Sequence, residues 1–134
     1  MVDVTVFVET EVNPTEDEDK VQIAVNNVLG NASITLKASQ TGSNLTAEAK
    51  GLDSLVKLRN ILRNDRIRDA ARRILFRSIR ENEMIFFLNK QVAFAGHISF
   101  SEETAESPLG PIRFIIETDD PPHLVEWLAE KTGK

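Results

Sequence analysis

Nine of the sixteen basic residues in this 134-residue chain fall between Lys57 and Arg80: Lys57, Arg59, Arg63, Arg66, Arg68, Arg72, Arg73, Arg77 and Arg80. Only two acidic residues, Asp65 and Asp69, share that segment, so it carries +7 in a chain whose formal charge is −5, and the remainder carries −12. Arginine suits phosphate because its planar fork donates two parallel hydrogen bonds and keeps its charge. At about 100° per helical residue, Arg66, Arg73, Arg77 and Arg80 fall within roughly 60° of one another, with Arg68 and Arg72 on a different flank. Such a row follows a nucleic-acid backbone by charge and counterion release, without reading sequence. The same side chains can instead be neutralised at home, by Asp69 with Arg73 four residues on and by ion pairs to the acidic remainder.

Two further segments bear on recognition. Asn89-Lys90-Gln91 places three hydrogen-bonding side chains at the tip of a predicted hairpin, where they contact a ligand or RNA or serve as ordinary turn chemistry. Glu106-Ser107-Pro108-Leu109-Gly110-Pro111 contains two prolines that restrict it to few conformations, as a fixed recognition loop or a rigid connector requires. Together these readings give Arg63, Arg66, Arg73, Arg77, Arg80, Asn89, Lys90 and Gln91 as candidate RNA contacts.

Catalytic constellations are missing. With no Cys in the chain, thiolate nucleophiles, disulfides and Cys-ligated metals are excluded, and a reducing cytoplasm is the expected setting. His97 and His123 stand in no paired ligand motif. Glu16-Asp17-Glu18-Asp19 places acids in a first helical turn, where the helix dipole favours them, and lacks the alternating spacing of a calcium loop. Walker, GxGxxG and GxSxG patterns are absent. We therefore expect no metal, no cofactor and no enzymatic activity. The seven Phe and one Trp fall mostly on apolar strand faces, which favours core packing over base stacking.

The elements that must position these residues follow from periodicity. Val2, Val4, Val6 and Val8 alternate with polar residues as a half-buried strand, with Phe7 as the exception. Thr15 and Glu18 read as a capping box for a helix whose stripe is Val21, Ala24, Val25, Val28 and Leu29, ended by Gly30. Ile34 to Ser39 and Asn44 to Lys50 form a hairpin about Thr41-Gly42-Ser43. Asp53 or Ser54 caps a second helix through Leu55, Leu58, Ile61 and Leu62, and the spacing predicts another helix over Asp65 to about Arg80. Met84 to Leu88 and Gln91 to Phe100 read as a second hairpin. Ile112, Phe114 and Ile116 mark a last strand before a helix capped by Asp119 or Asp120. The order β-α-β-β-α(α)-β-β-β-α predicts one α+β domain over 1–134, an antiparallel or mixed sheet with helices packed on one face.

Four strings carry a resemblance: Val8-Glu9-Thr10-Glu11-Val12-Asn13-Pro14-Thr15-Glu16, Asp69-Ala70-Ala71-Arg72, Leu88-Asn89-Lys90-Gln91-Val92-Ala93-Phe94-Ala95-Gly96-His97, and Glu106-Ser107-Pro108-Leu109-Gly110-Pro111-Ile112. With them the chain resembles a family of small, uncharacterised archaeal proteins, itself similar to proteins described as predicted RNA-binding or exosome-associated subunits. The resemblance implies a role in RNA metabolism and a fold like that of ribosomal large-subunit protein five, and brings no catalytic residues.

The sequence thus leads to a non-catalytic RNA-binding accessory protein that holds structured RNA by its phosphates. The alternative is a protein-interaction or self-assembly module, with a protein partner or a homodimer, because Met84 to Leu88 is apolar on both faces of a strand. No apolar run approaches the roughly twenty residues that cross a bilayer, so no membrane partner is expected and the cytoplasm is the expected location.

Overall fold

The computed structural model describes residues 3–40, 42–101 and 110–131. Alternation makes strand β1 (Val4–Val12), in which Val4, Val6, Val8 and Val12 are buried while Thr5 and Phe7, pointing the other way, stay half-buried. Helix α1 (Glu18–Val28) buries Val21, Ala24, Val25 and Val28 as expected, but its cap is Asp17, whose carboxylate accepts from the Asp19 amide at 2.9 Å. The Thr15–Glu18 capping box does not form, because the helix starts only at Glu18 with Asp17 as its cap; Glu16 accepts from the backbone and side-chain amides of Asn13, both at 2.9 Å. The helix ends at Leu29 rather than at Gly30.

Strands β2 (Ser33–Ser39) and β3 (Gly42–Lys50) pair with Ser39 opposite Gly42, so their link is two residues, shorter than the sequence implied. Gly42 is required there: its φ is +137°, and a Cβ would lie 2.2 Å from the Val12 carbonyl oxygen. After a 3-10 turn at Leu52–Leu55, helix α2 (Val56–Asn64) begins without a side-chain cap. Ser54, a predicted cap, donates its hydroxyl to the Gly51 carbonyl instead.

The long helix expected over Asp65 to Arg80 is shorter. Helix α3 spans Arg68–Arg77, and Ile79–Arg80 leave it to form strand β4. At its start, Asp65 caps α2 and Arg66 takes φ +57°. The Arg66 amide donates to Arg63 O and the Ile67 amide to Leu62 O, both at 3.2 Å, which is the Schellman pattern that breaks a helix. Arg66 and Arg80 therefore flank α3 and do not ride on it.

Strand β5 (Glu83–Asn89) follows a turn at Glu81 and Asn82, but the predicted hairpin partner over Gln91 to Phe100 does not form. Asn89 instead accepts from the Val92 amide at 3.0 Å and caps a five-residue helix, α4 (Lys90–Phe94). Gly96, at φ +86°, ends it, with the Gly96 amide on Ala93 O and the His97 amide on Val92 O. So short a helix shows little of the 3.6-residue period, and chance alternation imitated a strand. Only Phe100–Ser101 survive as strand β6. Strand β7 (Pro111–Thr118) leads to α5 (Pro121–Leu128), where Asp120 accepts from the His123 amide. Of the proline-containing loop, residues 106–109 lie outside the described residues.

The fold is α+β, and every strand pair is antiparallel, in the order β2-β3-β1-β7-β5-β4 with β6 also on β5. One sheet face is the core. Leu45, Val6, Phe114, Ile116, Phe86 and Leu88 meet the apolar stripes of the helices there, and the rings of Phe86 and Phe114 stack at 5.1 Å. Among the described residues the other face carries no helix. Its centre is a row of half-buried Ile85, Ile115 and Phe7, aligned across β5, β7 and β1. That row accounts for the two-sided apolarity of Met84 to Leu88: Met84, Phe86 and Leu88 are buried in the core, Ile85 and Phe87 lie on the open face.

Candidate nucleic-acid interface

The Arg-rich segment occupies α2, α3 and β4, and the fold sorts its eight arginines into two groups. On the flank facing α5, Arg59 reaches Glu130 at 2.8 Å, donates its Nε to the Trp127 carbonyl and lies 5.1 Å from the centre of that indole. Arg63 and Arg68 approach the same carboxylate at 3.9 and 4.0 Å. Arg72 clasps Glu126 with both terminal nitrogens and covers the Phe76 ring. The hydrogen bond from Arg59 holds the Glu130 carboxyl below its usual range, and that from Arg72 does the same for Glu126 while raising Arg72 itself. Four of the nine cations of the segment are thus drawn onto the two carboxylates of Glu126 and Glu130.

The other group faces water. Arg66, Arg73 and Arg77 are exposed and make no ion pair among the described residues. Arg80, also exposed, folds its Nη1 onto the carbonyls of Arg77 and Ile79 at 3.0 and 2.8 Å, which places a cation at the C-terminal end of α3 where the helix dipole favours one. These are the four residues singled out by helical spacing, although only Arg73 and Arg77 owe their alignment to one helix. The ten residues of α3 extend about 15 Å. Beyond Arg80 the charge changes sign: a cavity of about 740 Å³ is lined by Asp3, Glu81, Glu83, Glu117 and Asp119 around that one arginine. The basic band therefore has a fixed end.

The second predicted patch is dismantled by the fold. Lys90 is buried, with its ammonium 2.6 Å from the Glu11 carbonyl oxygen and 3.0 Å from a Glu16 carboxylate oxygen. Asn89 is engaged as the α4 cap, and only Gln91 of the three is exposed. Lys90 ties α4 to the end of β1 and is buried, while Asn89, half-buried, serves as the cap of its own helix. His97, expected on a strand, lies after α4 with its Nδ1 3.0 Å from an Asp65 oxygen.

One feature had no signal in the sequence. The outer edge of β5 is shared by two strands of two residues each: β4 pairs with Glu83 and Met84, and β6 with Phe87 and Leu88. Between them a notch of about 340 Å³ opens beside Arg77 and Arg80, walled by Ile74, Ile85, Phe87 and Phe100.

A family model described as "RNA binding" matches residues 5–118, which include every element described above except α5 and the first residue of β1. A UPF0201 protein of Sulfolobus acidocaldarius is 45% identical over 129 residues, covering 96% of this chain and 89% of that protein. The chain belongs to the UPF0201 family. Another member, from Sulfurisphaera tokodaii, is 43% identical over the same share of both chains. The crystal structure of the UPF0201 protein from Methanococcus jannaschii superposes with a TM-score of 0.83 at 31% identity, covering 93% of this chain and 98% of that one. A DUF54 protein from Methanothermobacter thermautotrophicus, at 20% identity and a TM-score of 0.60, shares the fold. No helix among the described residues is long and apolar enough to cross a membrane.

Proposed function

We propose that this UPF0201 chain is a non-catalytic RNA-binding accessory protein that grips the phosphate backbone of structured RNA with Arg66, Arg73, Arg77 and Arg80. The observation that carries the reading is the sorting of the arginines. A chain of net charge −5 spends Glu126 and Glu130 on Arg59, Arg63, Arg68 and Arg72 and leaves the outward-facing four exposed in one band. The description of the matching family model supports it. The open sheet face is a poorer candidate, because Glu9, Glu11, Glu48, Glu83 and Glu117 outnumber Lys37, Lys50, Arg80 and Arg113 there. Arg63 lies beside the band but is held near Glu130, and contributes at its margin.

Four phosphate contacts correspond to a log-log salt slope of roughly −3 to −3.6. Fluorescence anisotropy with an RNA hairpin under salt titration tests this. Replacing Arg73 and Arg77 together with Ala should lower the magnitude of the slope by about two, while Arg72→Ala, which removes an internally paired guanidinium, should leave it unchanged. Equal losses from both changes, or no binding at low salt, would sink the proposal.

A further inference from the structure

We propose that β2, the outermost strand of the sheet, pairs with the β2 of a second copy of this chain in an antiparallel, two-fold dimer; the proposal does not rest on the RNA reading. β2 ends the strand order and bonds to β3 on one side, while its outer side meets no strand among the described residues. An outer side of this kind presents a row of backbone N–H and C=O groups that an antiparallel strand can meet. Native edges are guarded by shortness, proline, bulges or charge. β2 has seven residues and no proline, and all seven pair with β3 in unbroken register, so no bulge turns it away. Its one charge is Lys37. The link to β3 is two residues, too short to fold back over this edge. Ser101 and Gly110, the described residues on either side of 102–109, lie on β6 and beside β7, with β1 and β3 between them and β2.

The sequence of β2 fits its own copy. A two-fold axis normal to the sheet keeps the helices of both copies on one side, and side-chain alternation then pairs even-numbered residues with even and odd with odd. The register centred on Leu36 uses the whole strand: Leu36 meets its own copy, Thr35 meets Lys37, Ile34 meets Ala38 and Ser33 meets Ser39. On the core face this covers half-buried Ile34 and Leu36 and exposed Ala38 with apolar partners. On the open face no like charges fall opposite each other. Sliding one step toward Ser39 would set Lys37 against its own copy and leave two residues of each strand unpaired. Lys37 therefore excludes a competing register without blocking the edge. Seven residues extend about 23 Å and supply about six to eight backbone hydrogen bonds between the copies. So narrow a contact belongs to the class that associates reversibly.

The test is sedimentation equilibrium of the full chain from about 1 μM to about 1 mM, where a reversible dimer is expected. Thr35 and Lys37 are both exposed, so changes there spare the fold of each copy. Thr35→Lys sets a like charge opposite the partner's Lys37 twice per dimer and should raise the dissociation constant by about two- to thirtyfold. Adding Lys37→Glu makes both contacts opposite-charge pairs and should restore the dimer. Because the chain has no Cys, Leu36→Cys brings one thiol per copy to the two-fold axis. Residues opposite each other on antiparallel strands have the spacing that a disulfide needs. Oxidation should therefore cross-link Leu36→Cys and leave Ile34→Cys, which faces Ala38, as single chains. A chain that stays monomeric to about 1 mM overturns the proposal and leaves the edge to solvent or to a foreign strand. A dimer indifferent to the charge exchange, or one that cross-links equally through Leu36→Cys and Ile34→Cys, puts the contact elsewhere and overturns it as well.

Discussion

If the proposed grip holds, Arg66 separates the requirements of the fold from those of RNA. It occupies the C′ position of α2 at φ +57°, where the Schellman pattern favours glycine. An L-residue in that conformation costs roughly 1–2 kcal/mol, whereas glycine pays none of this but gives back roughly 0.5–1 kcal/mol in extra freedom of the unfolded chain. Its guanidinium makes no ion pair among the described residues that would offset the loss. Arg66→Gly should therefore stabilise the protein by about 0.5–1 kcal/mol. With 134 residues at about 2.1 cal/mol/K each, the unfolding entropy is about 0.28 kcal/mol/K, and the gain becomes a rise in Tm of about 2–4 °C. On the proposed grip the same change removes one phosphate contact, and the salt slope of RNA binding should fall by about one. Calorimetry and anisotropy on the same preparation measure both. A residue that is worse than glycine for the fold and better for RNA is the signature of a functional site. If Arg66→Gly destabilises the protein, or binds RNA along an unchanged salt curve, the reasoning fails.

Lys90→Met should destabilise strongly without altering RNA affinity, because it strands Glu16, only 10% exposed, beside a lysine only 5% exposed; a loss of about 3 kcal/mol is expected, near the lower end for broken buried pairs since Glu16 keeps Asn13. In urea titration, a loss below about 1 kcal/mol would show that Lys90 is not locked in. Acid should weaken the packing of α5. The carboxyls of Glu126 and Glu130 are held below their usual range when folded, so their contribution is whole above the unfolded carboxylate range and is lost as pH falls through the folded values. Glu126→Gln with Glu130→Gln should flatten the decline of the urea midpoint between neutral pH and the acid limb; an unchanged slope would refute this linkage.

Much of the fold was legible in the sequence because long elements repeat their period. Nine residues of alternating β1 and the stripe of α1 left little ambiguity, and the charge asymmetry of Lys57 to Arg80 already located the band. The helical wheel put four arginines on one line, and Arg73 and Arg77 do share α3. What the wheel could not show is that Arg66 and Arg80 lie outside that helix. A non-glycine residue at a Schellman position and a helix that yields to a two-residue strand are decided by packing, not by propensity. The segment after Asn89 was misread for a related reason, as α4 is too short for its period to outweigh a chance alternation. Tertiary structure alone decided which charges stay available. Glu126 and Glu130 lie some fifty to seventy positions from the arginines they pair, and Lys90 is seventy-four from Glu16. Coulomb attraction follows distance in space, which a linear sequence does not contain until the chain has folded.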